Sequence, residues 1–221
     1  MTAEPAALTH PVPSGPRGTM AAGTKRAARR GRVLTAATEV FAARGYHAAT
    51  MNEIAQAAGW TKPYLYRYFP GKLDMYLEVL QLYIDTLTTS VERALRAPPD
   101  NQHRVCAAVQ AYFDFVDHET QGFRLIFDSD VPSEPAVQLR VGRANDACVG
   151  AVADVIARDS GSNPGQARLL AAGLVGAAQF AARYWLDTGR AIPKSDAVAA
   201  VITLCWGGLS HIPRASSSFN L

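Results

Sequence analysis

Residues 41–76 read FAARGYHAATMNEIAQAAGWTKPYLYRYFPGKLDMY, and the punctuation of this stretch decides the fold. A helix closes at Gly45. A second opens at Thr50 and stops at Gly59, and a third, very short, runs from about Thr61 to Phe69 before Pro70-Gly71 starts a new one. Thr50-Met51-Asn52-Glu53 is a capping box: the threonine hydroxyl accepts the Glu53 amide while the glutamate reaches back to the Thr50 amide. Thr61 is placed to cap the third helix, with Pro63 in its first turn, where a missing amide costs little. This is the grammar of a helix-turn-helix. A helix of about nine residues is marginal on its own in water, so neighbours must hold it, with Leu65 and Phe69 pinning it from below. It presents Lys62, Tyr64, Tyr66, Arg67 and Tyr68, which are donors and flat rings.

Charge supports that reading. The chain carries 22 Lys and Arg against 19 Asp and Glu. Within residues 1–72 the balance is ten basic (Arg17, Lys25, Arg26, Arg29, Arg30, Arg32, Arg44, Lys62, Arg67, Lys72) to three acidic (Glu4, Glu39, Glu53), a net +7. The remaining 12 basic and 16 acidic residues leave −4 for residues 73–221. A basic first third on an acidic remainder points to one part facing a polyanion and another with a different task. The run Lys25 to Arg32 alone reads equally as a solvated basic tail, but the excess continues into the helix-turn-helix, where nucleic-acid contact explains it.

Composition bounds the rest. At 221 residues the chain can bury one large or two modest cores. A 48% hydrophobic content, rich in Ala and Leu with few β-branched runs, favours an all-helical protein. Cys106, Cys148 and Cys205 stand singly in apolar helical stretches, so they read as reduced, buried small hydrophobes of a cytoplasmic protein. The first 24 residues contain Pro5, Pro11, Pro13 and Pro16 without an apolar core segment, so they lack an export signal, and Met20 is a second candidate start. The longest apolar run, Leu169 to Ala178, is too short for a membrane span of about twenty residues. It is expected as a buried helix.

Period and breakers then divide the chain into nine helices. The first should run from Thr24 to Ala43, with Val33, Ala37, Val40 and Phe41 inward. After the helix-turn-helix, a long helix from Lys72 carries Leu73, Tyr76, Leu77, Leu80, Ile84, Leu87, Val91 and Leu95 on one stripe until Pro98-Pro99. Others are expected at Asn101–His118, Phe123–Phe127, after a Ser133 cap to Arg158, Gly165–Leu186 and Lys194–His211. The expected organisation is a disordered lead (1–23), a three-helix unit (24–71), a six-helix domain (72–211) and a flexible tail (212–221). The fold class is all-α.

With these residues in view, the stretch resembles the DNA-binding module of TetR/AcrR-type transcriptional regulators. The matching features are F-x-x-x-G-Y (Phe41, Gly45, Tyr46), T-x-x-x-I-A-x-x-A-G (Thr50, Ile54, Ala55, Ala58, Gly59) and T-K-x-x-L-Y-x-Y-F-x-x-K (Thr61, Lys62, Leu65, Tyr66, Tyr68, Phe69, Lys72). The likeness covers about Lys25 to Leu80. Trp60 departs from it, standing where the family often has a smaller aliphatic residue. The resemblance implies a homodimeric repressor that binds an inverted-repeat operator in double-stranded DNA and releases it when a small apolar effector enters the larger, ligand-binding and dimerisation domain.

The expected contacts follow. Thr61, Lys62, Tyr66 and Tyr68 are phosphate donors, while Pro63, Tyr64 and Arg67 lie where base edges are met. Lys72, Thr50, Arg29 and Arg30 complete the candidate DNA surface, although packing is the alternative for each tyrosine. Leu169, Gly173, Gly176, Ala177 and Phe180 on the penultimate helix, with Ala200, Leu204 and Trp206 on the last, are the candidate dimer interface; the alternative is a tightly packed monomer core. Ligand candidates are Tyr83, Gln110, Phe113, Phe123, Phe127, Gln179, Arg183 and Tyr184, drawn from an aromatic-rich set that also includes Tyr112, Phe115 and Trp185. Plain core is the alternative for each.

No metal is expected, since Asp114, Asp117 and His118 have no second histidine or cysteine at a supporting spacing. No cofactor is expected either. The chain has no Gly-rich phosphate loop, G-x-S-x-G elbow or HExxH pair to ask for catalysis. An effector-independent regulator or an activator of the same fold remains open.

Overall fold

In a computed structural model the described residues are 17–96, 100–128, 131 and 134–209. They form nine helices and no strand: α1 Arg17–Ala48, α2 Met51–Ala57, α3 Lys62–Tyr66, α4 Lys72–Arg96, α5 Asn101–His118, α6 Thr120–Phe127, α7 Pro135–Ser160, α8 Pro164–Asp187 and α9 Lys194–Leu209. The all-α expectation holds, with corrections at the ends. Helix α1 begins seven residues before Thr24, so part of the expected lead is helical. The rest of that lead and the tail 212–221 lie outside the described residues, as does Ser133; Glu134 stands at the N-cap of α7. Helix α3 is only five residues long, because the chain leaves helical bonding at Arg67 and turns through Tyr68.

Local chemistry explains the boundaries. Gly45 takes φ 73° and ψ 166°, which bends α1 before its last turn; a side chain there would be strained. Thr50 caps α2 with both arms of the box, Glu53 N to Thr50 Oγ1 at 3.2 Å and Thr50 N to Glu53 Oε2 at 3.0 Å. Asp100 caps α5 through the His103 amide (2.9 Å), and Asn163 caps α8 through the Gln166 amide (2.9 Å).

Helix α4 is the axle. Met75, Tyr76, Val79 and Leu80 are closed from solvent because α1 and α6 cover its beginning, and α5 and α7 cover the remainder. One apolar core runs without a break from Val33, Phe41 and Ile54 to Phe113, Trp185 and Cys205. Gly122 of α6 lies flat on the Tyr83 ring, where an added Cβ would fall 2.1 Å from a ring carbon, and the Tyr83 hydroxyl reaches Thr38 of α1 at 3.4 Å. At the far end Lys194 bridges Asp114 (2.9 Å) and Asp117 (3.0 Å), and Arg190 joins Asp117 at 3.0 Å. The hydrogen bond from Lys194, aided by Arg190, holds the Asp117 carboxyl below its usual range. The aspartates considered for a metal thus clasp α5 to α9.

Candidate functional site

The core of the helix-turn-helix, the part that would read DNA, is set by Ile54, Leu65 and Phe69, all essentially closed to water, so α3 is fixed from beneath. Its outer side carries Thr61, Lys62, Pro63, Tyr66 and Arg67, all exposed, with Arg29 of α1 exposed beside them. Thr61 makes no side-chain capping bond to α3, which leaves its hydroxyl outward. Trp60 and the two flanking tyrosines form a cluster that the sequence did not indicate. Its indole lies 4.6 Å from the Tyr64 ring and 5.3 Å from Tyr68, and the two hydroxyls share a 3.1 Å hydrogen bond. That bond, then the Arg29 and Arg67 guanidiniums, pull the Tyr64 phenol below its usual range. Tyr64 and Tyr68 are therefore half-buried and mutually braced, and Arg67 sits 6.0 Å over the Tyr64 ring.

Three residues expected at the DNA are otherwise engaged. Lys72 donates to the carbonyls of Tyr46 (2.7 Å), His47 (3.0 Å) and Ala49 (2.9 Å), so all three ammonium protons tie α4 to the end of α1. A residue near a helix start had read as a phosphate donor; the kink at Gly45 turns carbonyls toward it instead. Arg30 pairs with Glu78 of α4 and stacks 5.9 Å over Phe69. The Thr50 hydroxyl spends its proton on Glu53 (2.9 Å).

The second feature is an apolar cavity of about 50 Å³ in the helical domain, lined by Val91 and Leu95 of α4, Val105, Val109 and Tyr112 of α5, Cys148 and Val152 of α7, and residues of α8 and α9. None of the eight ligand candidates lines it. Phe113 and Phe123 are core residues, packed at a tilt against the rings of Trp185 (5.7 Å) and Phe127 (4.9 Å). Tyr83 is held under Gly122, Gln110 donates to Asp114 (2.9 Å), and Gln179 is half-buried outside the cavity. Arg183 pairs with Asp128 and lines a polar groove between α1, α6 and α8, with Glu39 and Arg124. Burial raises the Asp128 carboxyl, which Arg183 opposes.

Most of the aromatic candidates complete the core, but Tyr112 of that set lines the cavity, whose other walls are short aliphatics and two cysteines. Its Tyr112 hydroxyl is the single buried side-chain polar atom without a hydrogen-bond partner among the described residues. Leaving such a group unpaired costs about 1–3 kcal/mol. The one available sign in sequence was a hydroxyl on an otherwise apolar face of Val105, Ala108, Val109 and Val116.

Most of the candidate dimer residues are uncovered. Leu169, Gly173, Gly176 and Phe180 are exposed along one stripe of α8, Ala177 is half-buried on it, and Tyr184 continues it at 64% exposure, so this supposed ligand residue faces outward. Ala200 and Leu204 are exposed on α9, and Trp206 is half-buried. Helix α8 is thus not the buried helix its apolar run implied. It is long and apolar enough to cross a membrane by length and composition alone, a test that core helices also pass.

Comparison with known proteins now bears on this geometry. Residues 33–79 match the family of bacterial regulatory proteins of the tetR type, and residues 101–208 match a tetracyclin repressor-like C-terminal domain. The transcriptional activator FasR of Mycolicibacterium smegmatis is 51% identical over 189 residues, which cover 86% of each chain. The transcriptional repressor KstR2 of the same species is 29% identical over 119 residues, covering 52% of this chain and 58% of that protein. A tetR-family regulator structure from Streptomyces coelicolor superposes with a TM-score of 0.65 at 27% identity, covering 82% of this chain and 79% of that one. A helix-turn-helix with outward donors, a helical domain behind it and these matches lead to one assignment: the chain belongs to the TetR family of DNA-binding transcriptional regulators.

Proposed function

We propose that the protein acts as a homodimer on an inverted-repeat operator and that a mostly apolar small molecule in the α4–α5–α7–α8 cavity lowers its DNA affinity. The observation that carries the DNA half is the exposed set Arg29, Thr61, Lys62, Tyr66 and Arg67 on and beside a rigidly supported α3. Lysine, threonine and tyrosine there donate to phosphates, and Arg67 reaches a guanine edge. Dimerisation is supported by the uncovered stripe from Leu169 to Tyr184 with Leu204 of α9. Small residues within it allow close helix approach, and two short readers together cover two half-sites about one helical turn apart.

The effector half is mechanical. Helix α4 has 25 residues, about 37 Å at about 1.5 Å per residue. Lys72 at one end holds the reader, and Val91 and Leu95 at the other wall the cavity. A ligand that spreads the cavity must move this axle, and a tenfold loss of operator affinity needs about 1.4 kcal/mol of preference for the released state. Repression follows if the operator overlaps a promoter. Activation is the second reading, favoured by the name of the 51% identical relative.

Selection of bound sequences from random DNA tests the first half. Inverted repeats are expected, with log affinity falling about 0.9 per neutralised phosphate for each unit of log salt. A single asymmetric half-site, or binding indifferent to salt, refutes it. Leu204→Glu should give monomers by sedimentation and lose the operator; a dimeric Leu204→Glu protein would remove α9 from the interface. A reporter with the recovered operator separates repression from activation.

A further inference from the structure

We propose that the apolar cavity takes a neutral, mostly apolar molecule bearing one hydrogen-bonding oxygen, and that the Tyr112 hydroxyl is the group that holds this oxygen. The inference rests on the reading of this cavity as the effector site and specifies what enters it. Tyr112 is 5% exposed, lines the cavity and has no hydrogen-bond partner, whereas no other buried side-chain oxygen or nitrogen among the described residues is left unpaired. Native proteins rarely leave such an atom unmatched. Water is a poor substitute here, because it needs two to four polar partners and the other walls are aliphatic apart from the thiols of Cys148 and Cys205, which bond weakly.

The charge of the occupant follows from the same walls. No charged side chain lines the cavity. Burial, and the negative charge of Glu92 beyond the wall, push the Cys148 thiol up to about 11, and burial also raises Cys205 and the Tyr112 phenol. All three groups are therefore neutral. A carboxylate would enter an uncompensated apolar site near an existing anion, which is strongly disfavoured. A ketone, ester or similar carbonyl would instead accept a hydrogen bond from the Tyr112 hydroxyl and leave the rest of the molecule among Val91, Val109 and Val152. The cavity, about 50 Å³, is smaller than the roughly 150 Å³ apolar hole that accepts benzene. Such a molecule therefore enters by parting the lining helices, which links occupancy to the movement of α4.

The test uses the full chain and three probes of one size: acetophenone, α-methylstyrene (the same shape with =CH2 for =O) and benzoate. Binding is read from the melting-point shift, which scales with ligand occupancy of the folded state. Acetophenone is expected to bind about tenfold tighter than α-methylstyrene, and benzoate should not shift the melting point. Tyr112→Phe removes only the hydroxyl. It should erase the tenfold difference, leave α-methylstyrene binding unchanged and melt, unliganded, no lower than the parent. Equal acetophenone binding by Tyr112→Phe, binding of benzoate, or a lower unliganded melting point would each overturn the assignment of Tyr112 while leaving the cavity as a binding site. If neither neutral probe binds the parent while operator binding is intact, the cavity reading itself falls, and the inference with it.

Discussion

Lys72→Met separates two roles that a lysine at a helix start can have. In one it neutralises a phosphate; in the other it closes the end of a neighbouring helix. The ammonium makes three bonds of 2.7–3.0 Å to the carbonyls of Tyr46, His47 and Ala49 and lies 4.6 Å over the Tyr46 ring. Bonds from a charged donor contribute about 1.5–3 kcal/mol each when fully desolvated. Here one carbonyl is open to water and the side chain is half-buried, so water recovers much of that. About 2 kcal/mol for the whole contact is a reasonable sum. For a chain of this size that lowers the melting point by about 4–8 °C. The salt slope of operator binding should be unchanged, because no phosphate contact is lost. Lys72→Arg should recover little, since a flat guanidinium cannot turn three protons onto three converging carbonyls. The assay is a thermal melt of each variant beside operator titrations at several salt concentrations. A normal melting point with a slope reduced by about 0.9 per protomer would refute the clasp and return Lys72 to the DNA surface.

Other outcomes follow from contacts already described. Gly122→Ala should destabilise by about 1–3 kcal/mol, because its methyl falls inside the Tyr83 ring; in a Tyr83→Leu background the same change should cost much less, as urea melts of the four proteins would reveal. Thr50→Ala should lower the melting point by about 2–4 °C at neutral pH through loss of the cap. Its bonds to Thr50, then Arg44, hold the Glu53 carboxyl below 4.5. The carboxylate arm of the box is therefore present above pH 4.5 and lost as the pH falls through the lower folded value, while the bond from the Glu53 amide to the Thr50 hydroxyl does not titrate. The gap between the two proteins should thus narrow in acid without closing, and a constant gap would contradict the carboxylate arm. Lys62→Ala should weaken all operator variants alike, whereas Arg67→Ala should relax preference at one base pair at a cost of about 1–3 kcal/mol. Competition among operator variants decides, and uniform weakening by Arg67→Ala would make it a phosphate contact.

The elements bounded by local chemistry were legible in the sequence. The Thr50–Glu53 box, Gly45, Gly59 and Pro70 report on their own neighbours within four residues, so the helix-turn-helix could be read directly. The stripe from Tyr76 to Leu95 was legible because helical period marks the buried face. Partners distant in the chain were not. Arg30 and Glu78 are 48 residues apart, Lys72 and Tyr46 are 26 apart, and a charged side chain reads alike whether it meets a phosphate, a carboxylate or a carbonyl. The cavity was the least legible feature. A void is set by how far five helices stand apart, and valines lining a hole have the same period as valines filling one. The outward position of Tyr184 was not legible, because an aromatic ring on an apolar helix says nothing of which side its own helix leaves uncovered.

Tyr76 carries a consequence for how such regulators can be recombined. It stands inside α4, yet its ring closes edge-on against Phe41 (5.1 Å) and Tyr46 (5.2 Å) of α1, while its hydroxyl donates to the Leu125 carbonyl of α6 (3.0 Å). A crossover at residue 71, where the sequence changes character, would part the reader from the ring that completes its interior. The workable seam lies at least beyond Leu80, and the incoming helical domain must bring a carbonyl to the Leu125 position. Grafting a foreign reader therefore succeeds or fails on an aromatic contact that belongs to neither half alone.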